Sequence, residues 1–414
     1  MKVGLLGQFG SGNSGNDGSL EAVVQFLRRT RPEDELVCIC SNPEVVEKNL
    51  DVQAISITAA EHQGRVFRFF DKILFGVPRR LRNVMFSITT TSEFNAIIVP
   101  GTGILDDFQE NPFGWPYVLF RWCLAAFLGG TQLAFVSVGA GPVNRHLSRW
   151  FIKRAAGFAN YRSYRDQASL RFMQSIGFEN RDDRIFPDVA FGLAAPKNEF
   201  QREGSPVIGV GVMSYHGWSK NAADRETIHH TYIEKLRIFI VWLVQNGYRV
   251  RILTGDAQDW RAVEELQKAL VASLPDTSAI IAEQATDLHL LMAQIQQTDI
   301  IVATRFHNVV CALKLGRPTI SIGYSSKNDQ LLEDMALGHF CQHIETFEVE
   351  ILKRQLDAMM QERESIAKNI QRRVEIYSQR LAMQESILLQ TVLAKKPSNE
   401  NAFLTEAVEP ESTS

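Results

Sequence analysis

The sequence predicts an α/β chain of two domains, each a parallel sheet covered by helices, followed by a helical C-terminal segment. Three observations predict it. Short, continuous apolar runs alternate with stretches of helical period, the pattern of parallel strands buried on both faces. The alternation breaks at a polar stretch, 198–206, and then starts again. Beyond residue 345 the strand pattern stops and a long charged and apolar helical pattern replaces it. With 414 residues, 45% of them hydrophobic, the chain is long enough to bury two cores.

In the first half, KVGLLG opens as a strand, and SLEAVVQFLRR follows as a helix capped near Asn16 or Asp17. ELVCIC, AIIVPG and QLAFVSVGAG are further strands, and the apolar run Tyr117 to Leu128 reads as core. In the second half come the strand VIGVGVM and a helix through YIEKLRIFIVWLVQNG. The strand YRVRILTGD, a helix from Trp260 to Leu270 and the strand AIIAE follow. The expected boundaries are a first domain at 1–197, a second at 205–344, C-terminal helices at 345–394 and a disordered tail at 395–414. The C-terminal helices read either as a pair packing on the body or as a coiled-coil dimer segment, which leaves a homo-oligomer open.

One segment departs from the pattern of a globular core. Residues 64–86 carry Arg65, Arg68, Lys72, Arg79, Arg80 and Arg82 against the single acidic Asp71, with Phe67, Phe69, Phe70, Leu74 and Phe75 between them. Such a helix suits an anionic membrane surface. Packing on its own domain, with arginines snorkelling to water, is the plainer account.

Composition sets outer limits. A net charge of −3, and the lack of a basic stripe with interleaved aromatics on a recognisable RNA- or DNA-binding module, argue against nucleic acid as a partner. Cys38, Cys40, Cys123, Cys311 and Cys341 are odd in number and lie mostly in apolar runs, which suits a reducing compartment. The apolar stretch at the N-terminus is too short for a signal-peptide core, and no later run has the length of a membrane span. The expected location is cytoplasmic, or peripheral at the inner face of the cell membrane.

The segment Asp299 to Lys327, DIIVATRFHNVVCALKLGRPTISIGYSSK, is the most informative. It reads as strand, helix, strand, with Gly316 stopping the helix. In an open α/β sheet the turn after the first strand faces the ligand crevice, and free N–H groups at a helix start favour an anion there. Arg305 and His307 lie in that turn, Thr304 could cap the helix, and Lys327 follows the next strand. These donors could converge on one phosphate or carboxylate. A helix-start ion pair and a solvated lysine are the plainer readings. His216, Lys220, His229 and His230 fall in a segment read as a loop after the first strand of the second domain. Asp256 and Asp259 follow the next strand, in G-D-A-Q-D-W.

The T-R-F-H turn, followed by A-L-K-L-G-R-P and G-Y-x-x-K, resembles the signature of the polysaccharide pyruvyl transferase family. Further matches stand in the expected order. They are G-N-S-G-N-D-G-S-L-E-A at Gly12 to Ala22, P-G-T-G-I-L-D-D at Pro100 to Asp107, S-V-G-A-G-P at Ser137 to Pro142, Y-R-D at Tyr164 to Asp166, and P-D-V-A-F at Pro187 to Phe191. Two departures stand out: Gly101-Thr102-Gly103 replaces the usual triple glycine, and the chain beyond Cys341 shows no family motif. The resemblance implies two Rossmann-like domains facing each other across a cleft, similar to the GT-B glycosyltransferase fold.

It also implies a chemistry. The family's usual donor is phosphoenolpyruvate, and the acceptor would be a sugar of a surface polysaccharide or a lipid-linked oligosaccharide precursor. On this reading His307 is the acid and phosphate partner, with Arg305, Arg165, Lys327 and Thr304 around the donor. The base would be Asp107 or Asp17, each at the carboxyl edge of a first-domain strand. Plainer alternatives are a helix N-cap for Asp17, loop bracing for Asp107 and a salt bridge to Asp166 for Arg165. Asn13, Asn16, Gly101 and Gly103 would line the acceptor side. The scheme needs no cofactor and no metal, and no His/Asp cluster has metal-ligand spacing. Two other readings stay open: a glycosyltransferase using a nucleotide sugar, and a non-catalytic glycan-binding or assembly protein.

Overall fold

The computed structural model describes residues 1–60, 65–74, 76–107, 110–196, 204–217 and 221–394, without the side chains of residues 65, 66, 67 and 70. Within them the first sheet has strands β1 (Lys2–Leu6), β2 (Glu35–Cys40), β3 (Gln53–Ser56), β4 (Ala96–Pro100), β5 (Gln132–Val138), β6 (Tyr161–Tyr164) and β7 (Arg184–Ile185). They are all parallel, in the order β3-β2-β1-β4-β5-β6-β7. The second sheet has β8 (Val207–Gly211), β9 (Arg249–Leu253), β10 (Ile280–Ala282), β11 (Ile300–Ala303), β12 (Thr319–Gly323) and β13 (Cys341–His343). It is parallel too, in the order β10-β9-β8-β11-β12-β13. In each sheet the strand order reverses beside the first strand, and the crevice at such a switch point is where open α/β sheets bind ligands.

The helices of the first half are α1 (Ser14–Thr30), α2 (Pro43–Leu50), α3 (Arg65–Ile73), α4 (Val77–Thr91), α5 (Trp115–Gly129), α6 (His146–Gly157) and α7 (Gln167–Ser175). Those of the second are α8 (Ala222–Gln245), α9 (Trp260–Ser273), α10 (Leu288–Gln296), α11 (Phe306–Lys314) and α12 (Ser326–Asp334), followed by α13 (Val349–Gln361) and α14 (Arg363–Gln390). One face of the first sheet buries Val3, Leu5 and Ile98 against Leu20, Leu27 and Val46 of α1 and α2. The other buries Ile97, Val99 and Phe135 against Trp122, Ile152 and Met173 of α5, α6 and α7.

The C-terminal helices pack on the body of the same chain. Ile366, Ile370, Tyr377 and Leu381 of α14 enter the core of the second domain, and Leu388, with Val392 and Leu393 beyond the helix, enters the first-domain core beside Leu20 and Leu27. Gln384 of α14 is buried, and its amide ties Ser163 (2.6 Å) and Ser137 (3.1 Å) of the first sheet. The expected tail, 395–414, and most of the expected linker, 197–203, lie outside the described residues.

Local chemistry corrects several expectations. The first helix begins at Ser14, and its N-cap is Asn13, whose Oδ1 accepts from Gly15 N and Asn16 N at 3.1 Å. Asp17 is inside the first turn, where its carboxylate accepts from Gly10 N at 2.8 Å and braces the preceding loop. Thr304 is not a cap: the N-cap of α11 is Arg305, and no side chain caps that helix. His229 and His230 are helical, within α8, because the helix starts at Ala222 with Asn221 as its cap.

Candidate active site

The two sheets meet along their ligand-facing loops. Gly12 and Asn13, before α1, run antiparallel to Asp256 and Ala257, after β9, with a bridge between Asn13 and Asp256. Ser14 Oγ donates to Gly255 O at 2.6 Å, so the start of α1 is tied to the opposite domain. His307 completes this contact. A Cβ added to Gly15 would fall 1.9 Å from His307 Nδ1, so only a glycine lets the imidazole lie on the N-terminus of α1.

On its other side His307 faces Asp188, with Nε2 4.0 Å from Oδ2. Asp188 is fixed by its own local turn, Oδ1 accepting from Ala190 N at 3.0 Å, and its Oδ2 also accepts from Arg165 Nη1 at 3.3 Å. Arg165 stands over the Phe306 ring, 4.4 Å from its centroid. The expected salt bridge to Asp166 is looser, 3.5 Å from Nε, because Asp166 caps α7 through Ser169 N at 2.6 Å. Gly103 opens towards two cations: Lys327 Nζ and Arg165 Nη2 lie 3.9 and 4.0 Å from where its Cβ would be. Gly101 packs on the Ser137 carbonyl, 2.9 Å from where its Cβ would be, and does not open to the cleft in the same way.

Burial shifts the titration of two of these groups. The imidazole of His307 is held at a pKa of about 4, by burial first and then by the cations Arg165 and Arg305, against the attraction of Asp188. It is therefore neutral at pH 7, and the proton expected of an acid is absent in this state. The Lys327 ammonium is lowered to about 8, by burial and by Arg165, with Asp106 and Asp166 acting in the opposite sense.

Other candidates serve different purposes in this arrangement. Arg305 makes a two-point pair with Asp259, Nε to Oδ2 at 2.9 Å and Nη2 to Oδ1 at 2.5 Å, and Asp259 is fully buried. Burial works against the Arg305 charge, but the hydrogen bonds and proximity of Asp259 outweigh it and raise the pKa. Arg305 thus ties the β11 turn to the β9 loop, and that edge of its guanidinium is not free to hold an anion. Thr304 is buried, its hydroxyl donating to Gly211 O at 3.0 Å beside Tyr232.

Asp107 is buried, its Oδ2 accepting from Asn144 N at 3.1 Å, which braces two cleft loops against each other. The Asn16 side-chain amide donates to Gln8 O at 3.5 Å. His216 stacks on His229 at 4.3 Å, and His229 bridges Tyr215 O and Glu265. Lys220 lies outside the described residues.

Sequence reasoning missed Asp188 and Asp106. Asp188 is the acidic residue of the P-D-V-A-F motif, and Asp106 stands beside Asp107. Among the described residues, buried polar atoms without a hydrogen-bond partner gather on both walls of the cleft. They include Thr102 Oγ1, Arg165 Nε, Asp166 Oδ2, Thr254 Oγ1, His307 Nε2 and both amide atoms of Asn308. Buried polar groups are ordinarily paired, so this concentration marks where a polar ligand fits. No group of three or more His, Cys, Asp or Glu among the described residues is arranged to hold a metal ion.

The sequence profile of polysaccharide pyruvyl transferases matches residues 13–326, which includes both walls of this cleft. The chain belongs to the polysaccharide pyruvyl transferase family. It is accordingly a transferase that acts on glycans. No curated protein matches the chain in sequence.

In architecture the transferase is similar to a glycosyltransferase from Rickettsia africae, with a TM-score of 0.58 at 9% identity over 94% of this chain and 98% of that one. It is similar to Acinetobacter baumannii MurG, 0.55 at 12% over 94% and 99%. It is also similar to the UDP-GlcNAc 2-epimerase of Neisseria meningitidis, 0.56 at 10% over 92% and 100%. These likenesses show the GT-B-like fold shared by glycosyltransferases and epimerases. No helix among the described residues is long and apolar enough to cross a membrane.

Proposed function

We propose that this transferase moves a pyruvyl group from phosphoenolpyruvate to two hydroxyls of one sugar, forming a ketal on a surface polysaccharide or its lipid-linked precursor. The observation that carries the reading is the convergence of Arg165, Lys327 and His307 beside Gly103 and Phe306. Phosphoenolpyruvate holds a phosphate and a carboxylate close together, and two cations with a neighbouring imidazole match that charge.

The steps balance with no added co-reactant. A proton goes to the methylene carbon of the donor, making it a methyl group and leaving the adjacent carbon cationic. One sugar hydroxyl attacks that carbon and gives up its proton. The second hydroxyl attacks the same carbon, and the bond to the phosphate oxygen breaks. Of the two hydroxyl protons, one replaces the proton taken by the methyl group and the other leaves with the phosphate.

His307 delivers the proton, and the donor itself makes this feasible. Burial is the main reason the imidazole is held at a pKa of about 4; an anion set between Arg165 and Lys327 offsets the added repulsion from Arg165 and itself attracts the imidazolium, so binding raises the His307 pKa. The candidate bases are Asp107 and Asp17, to which Asp106, whose charge acts on Lys327, is added. Arg305 and Thr304 support the donor by fixing the turn that carries His307. Asn13 and Asn16 are assigned to the acceptor side, while Gly103 borders the donor cations and Gly101 packs on the Ser137 carbonyl; the chemistry calls for no cofactor.

The test is inorganic phosphate release from phosphoenolpyruvate by the full chain, with and without an acceptor glycan, together with detection of the ketal. Phosphate and ketal formed in equal amounts are the expected result. Release of a nucleoside diphosphate from a sugar nucleotide, with phosphoenolpyruvate inert, would replace this reading with a glycosyltransferase. Saturable glycan binding with neither donor consumed would make the protein a binding module.

A further inference from the structure

The first domain carries an apolar and basic face on three neighbouring helices, α3, α4 and α6. On α4, Val77, Leu81 and Met85 recur every fourth residue and point to solvent, Leu81 62% and Met85 59% exposed. The same helix turns Ser87 and Thr91 inward. This is the reverse of the pattern a helix adopts on a water-soluble surface. The polar inner side has a cause: the buried guanidinium of Arg121, from α5, donates to Asn83 O at 2.8 Å and to Ser87 Oγ at 2.5 Å. The outward side of α4 is left apolar, and α3 extends it with Phe69 and Ile73, 62% and 52% exposed.

The face continues onto α6. Arg80 lies over Phe113 at 4.2 Å, and ring contacts run from Phe113 through Tyr117 and Phe151 to Trp150, which is 46% exposed on α6. Arg154 stands over Trp150 at 5.7 Å. Positive charge is concentrated in the same segments of the sequence. Residues 65–91 hold six Arg or Lys and residues 145–157 hold four, against the single acidic Asp71, in a chain whose net charge is −3.

We propose that α3, α4 and α6 together form a docking face for an anionic lipid bilayer. Aliphatic and aromatic side chains enter the headgroup boundary while flanking Arg and Lys meet anionic lipids, the chemistry of an interfacial amphipathic surface. Helix α6 follows the loop whose Asn144 N donates to Asp107 in the cleft, so the docked face delivers the cleft mouth to the membrane surface. The proposal stands on exposure and charge and is independent of the donor chemistry.

The experiment is co-sedimentation of the full chain with phosphatidylcholine vesicles, with and without phosphatidylglycerol. Wild type is expected to bind only the anionic vesicles, less as salt rises. Lys72→Glu/Arg79→Glu/Arg154→Glu is expected to lower partition at least about tenfold. Leu81→Ser/Met85→Ser/Trp150→Ser is expected to lower it on the same vesicles. All six positions are outside the cleft machinery, so both variants should unfold and turn over a water-soluble acceptor like wild type. Absence of wild-type binding at low salt, or equal binding by either variant, overturns the proposal. A solution dimer broken by Leu81→Ser, with no vesicle binding, assigns the face to a second copy instead.

Discussion

His307 and Asp188 face each other at 4.0 Å, imidazole Nε2 to carboxylate Oδ2, with Arg165 on the same carboxylate oxygen. The separation is too long for a hydrogen bond, so the carboxylate orients and attracts the ring without holding its proton. Anion binding at Arg165 loosens the competing pair and leaves Asp188 to favour the imidazolium. Replacing His307 with Ala is therefore expected to lower phosphate release roughly 10²–10⁴-fold at matched folded concentration. Asp188→Asn should lower turnover and move the alkaline limb of the rate profile, where His307 loses its proton, to lower pH. Wild-type turnover in His307→Ala would remove the acid assignment.

The buried imidazole also makes stability depend on pH. Its folded pKa, about 4, is below the ordinary 6.5, so the unfolded chain takes up the proton first as pH falls. Stability is lost through the window from 6.5 to 4, a loss of roughly 2 kcal/mol between pH 7 and pH 5 from this group. Urea unfolding of wild type and His307→Gln at both pH values checks it. The variant should lose about that much less, and parallel losses would contradict the buried neutral ring.

Lys327 sets the alkaline side of donor binding. Its ammonium in the free protein titrates near 8, and an anion beside it raises that value. Donor affinity should be nearly flat from pH 7 to pH 8 and then fall by up to about tenfold per pH unit. Calorimetric titration with phosphoenolpyruvate from pH 7 to pH 10 reads this. An affinity unchanged across that range, or the same slope in Lys327→Ala, would exclude the lysine from the donor site.

Arg305 and Lys327 should separate stability from binding. Loss of the Arg305 side chain leaves Asp259 buried and unpaired, so Arg305→Ala is expected to cost about 3–5 kcal/mol of folding stability. Lys327→Ala should keep the fold and cost about 1.5–3 kcal/mol in donor binding. A normal melting temperature in Arg305→Ala, with binding lost, would reverse the two roles.

Gly15→Ala tests the contact between the domains. Its methyl group must displace the His307 ring, which costs roughly 1–3 kcal/mol for an overpacked site. Both unfolding and donor turnover should report it. Unchanged values for both would mean the ring does not rest on α1.

The apolar strands were legible because each is a continuous hydrophobic run: β1, β4, β8 and β11 are buried almost throughout. The short strands β3, β6, β7 and β13 were not. YRSY of β6, for example, hides a buried Arg162 whose charge is met by Asp183 at 2.8 Å, a pairing made 21 residues away. The start of the first helix is ambiguous in the sequence because Asn13, Asn16 and Asp17 are all good caps, and only the folded loop assigns Asp17 to Gly10 N.

In the site, His307, Lys327 and Arg165 carried motif signals of their own. The placement of His307 on Gly15, its approach to Asp188, and the engagement of Arg305 by Asp259 join segments far apart in the chain. No local pattern encodes them. The exposed side of α4 was partly legible in its basic residues, but the inward turn of Ser87 depends on Arg121 of the next helix.

Helix α14 is 28 residues long, about 42 Å at the usual rise, and it supplies Ile370 and Tyr377 to one core and Leu388 to the other. During synthesis the first sheet leaves the ribosome early, yet the residues that close one of its faces are made after the whole second domain. The half of the protein that begins the sequence is therefore the last to be completed. Until that helix arrives, the nascent first domain keeps an apolar groove beside Leu20 and Leu27 that calls for shielding by a chaperone.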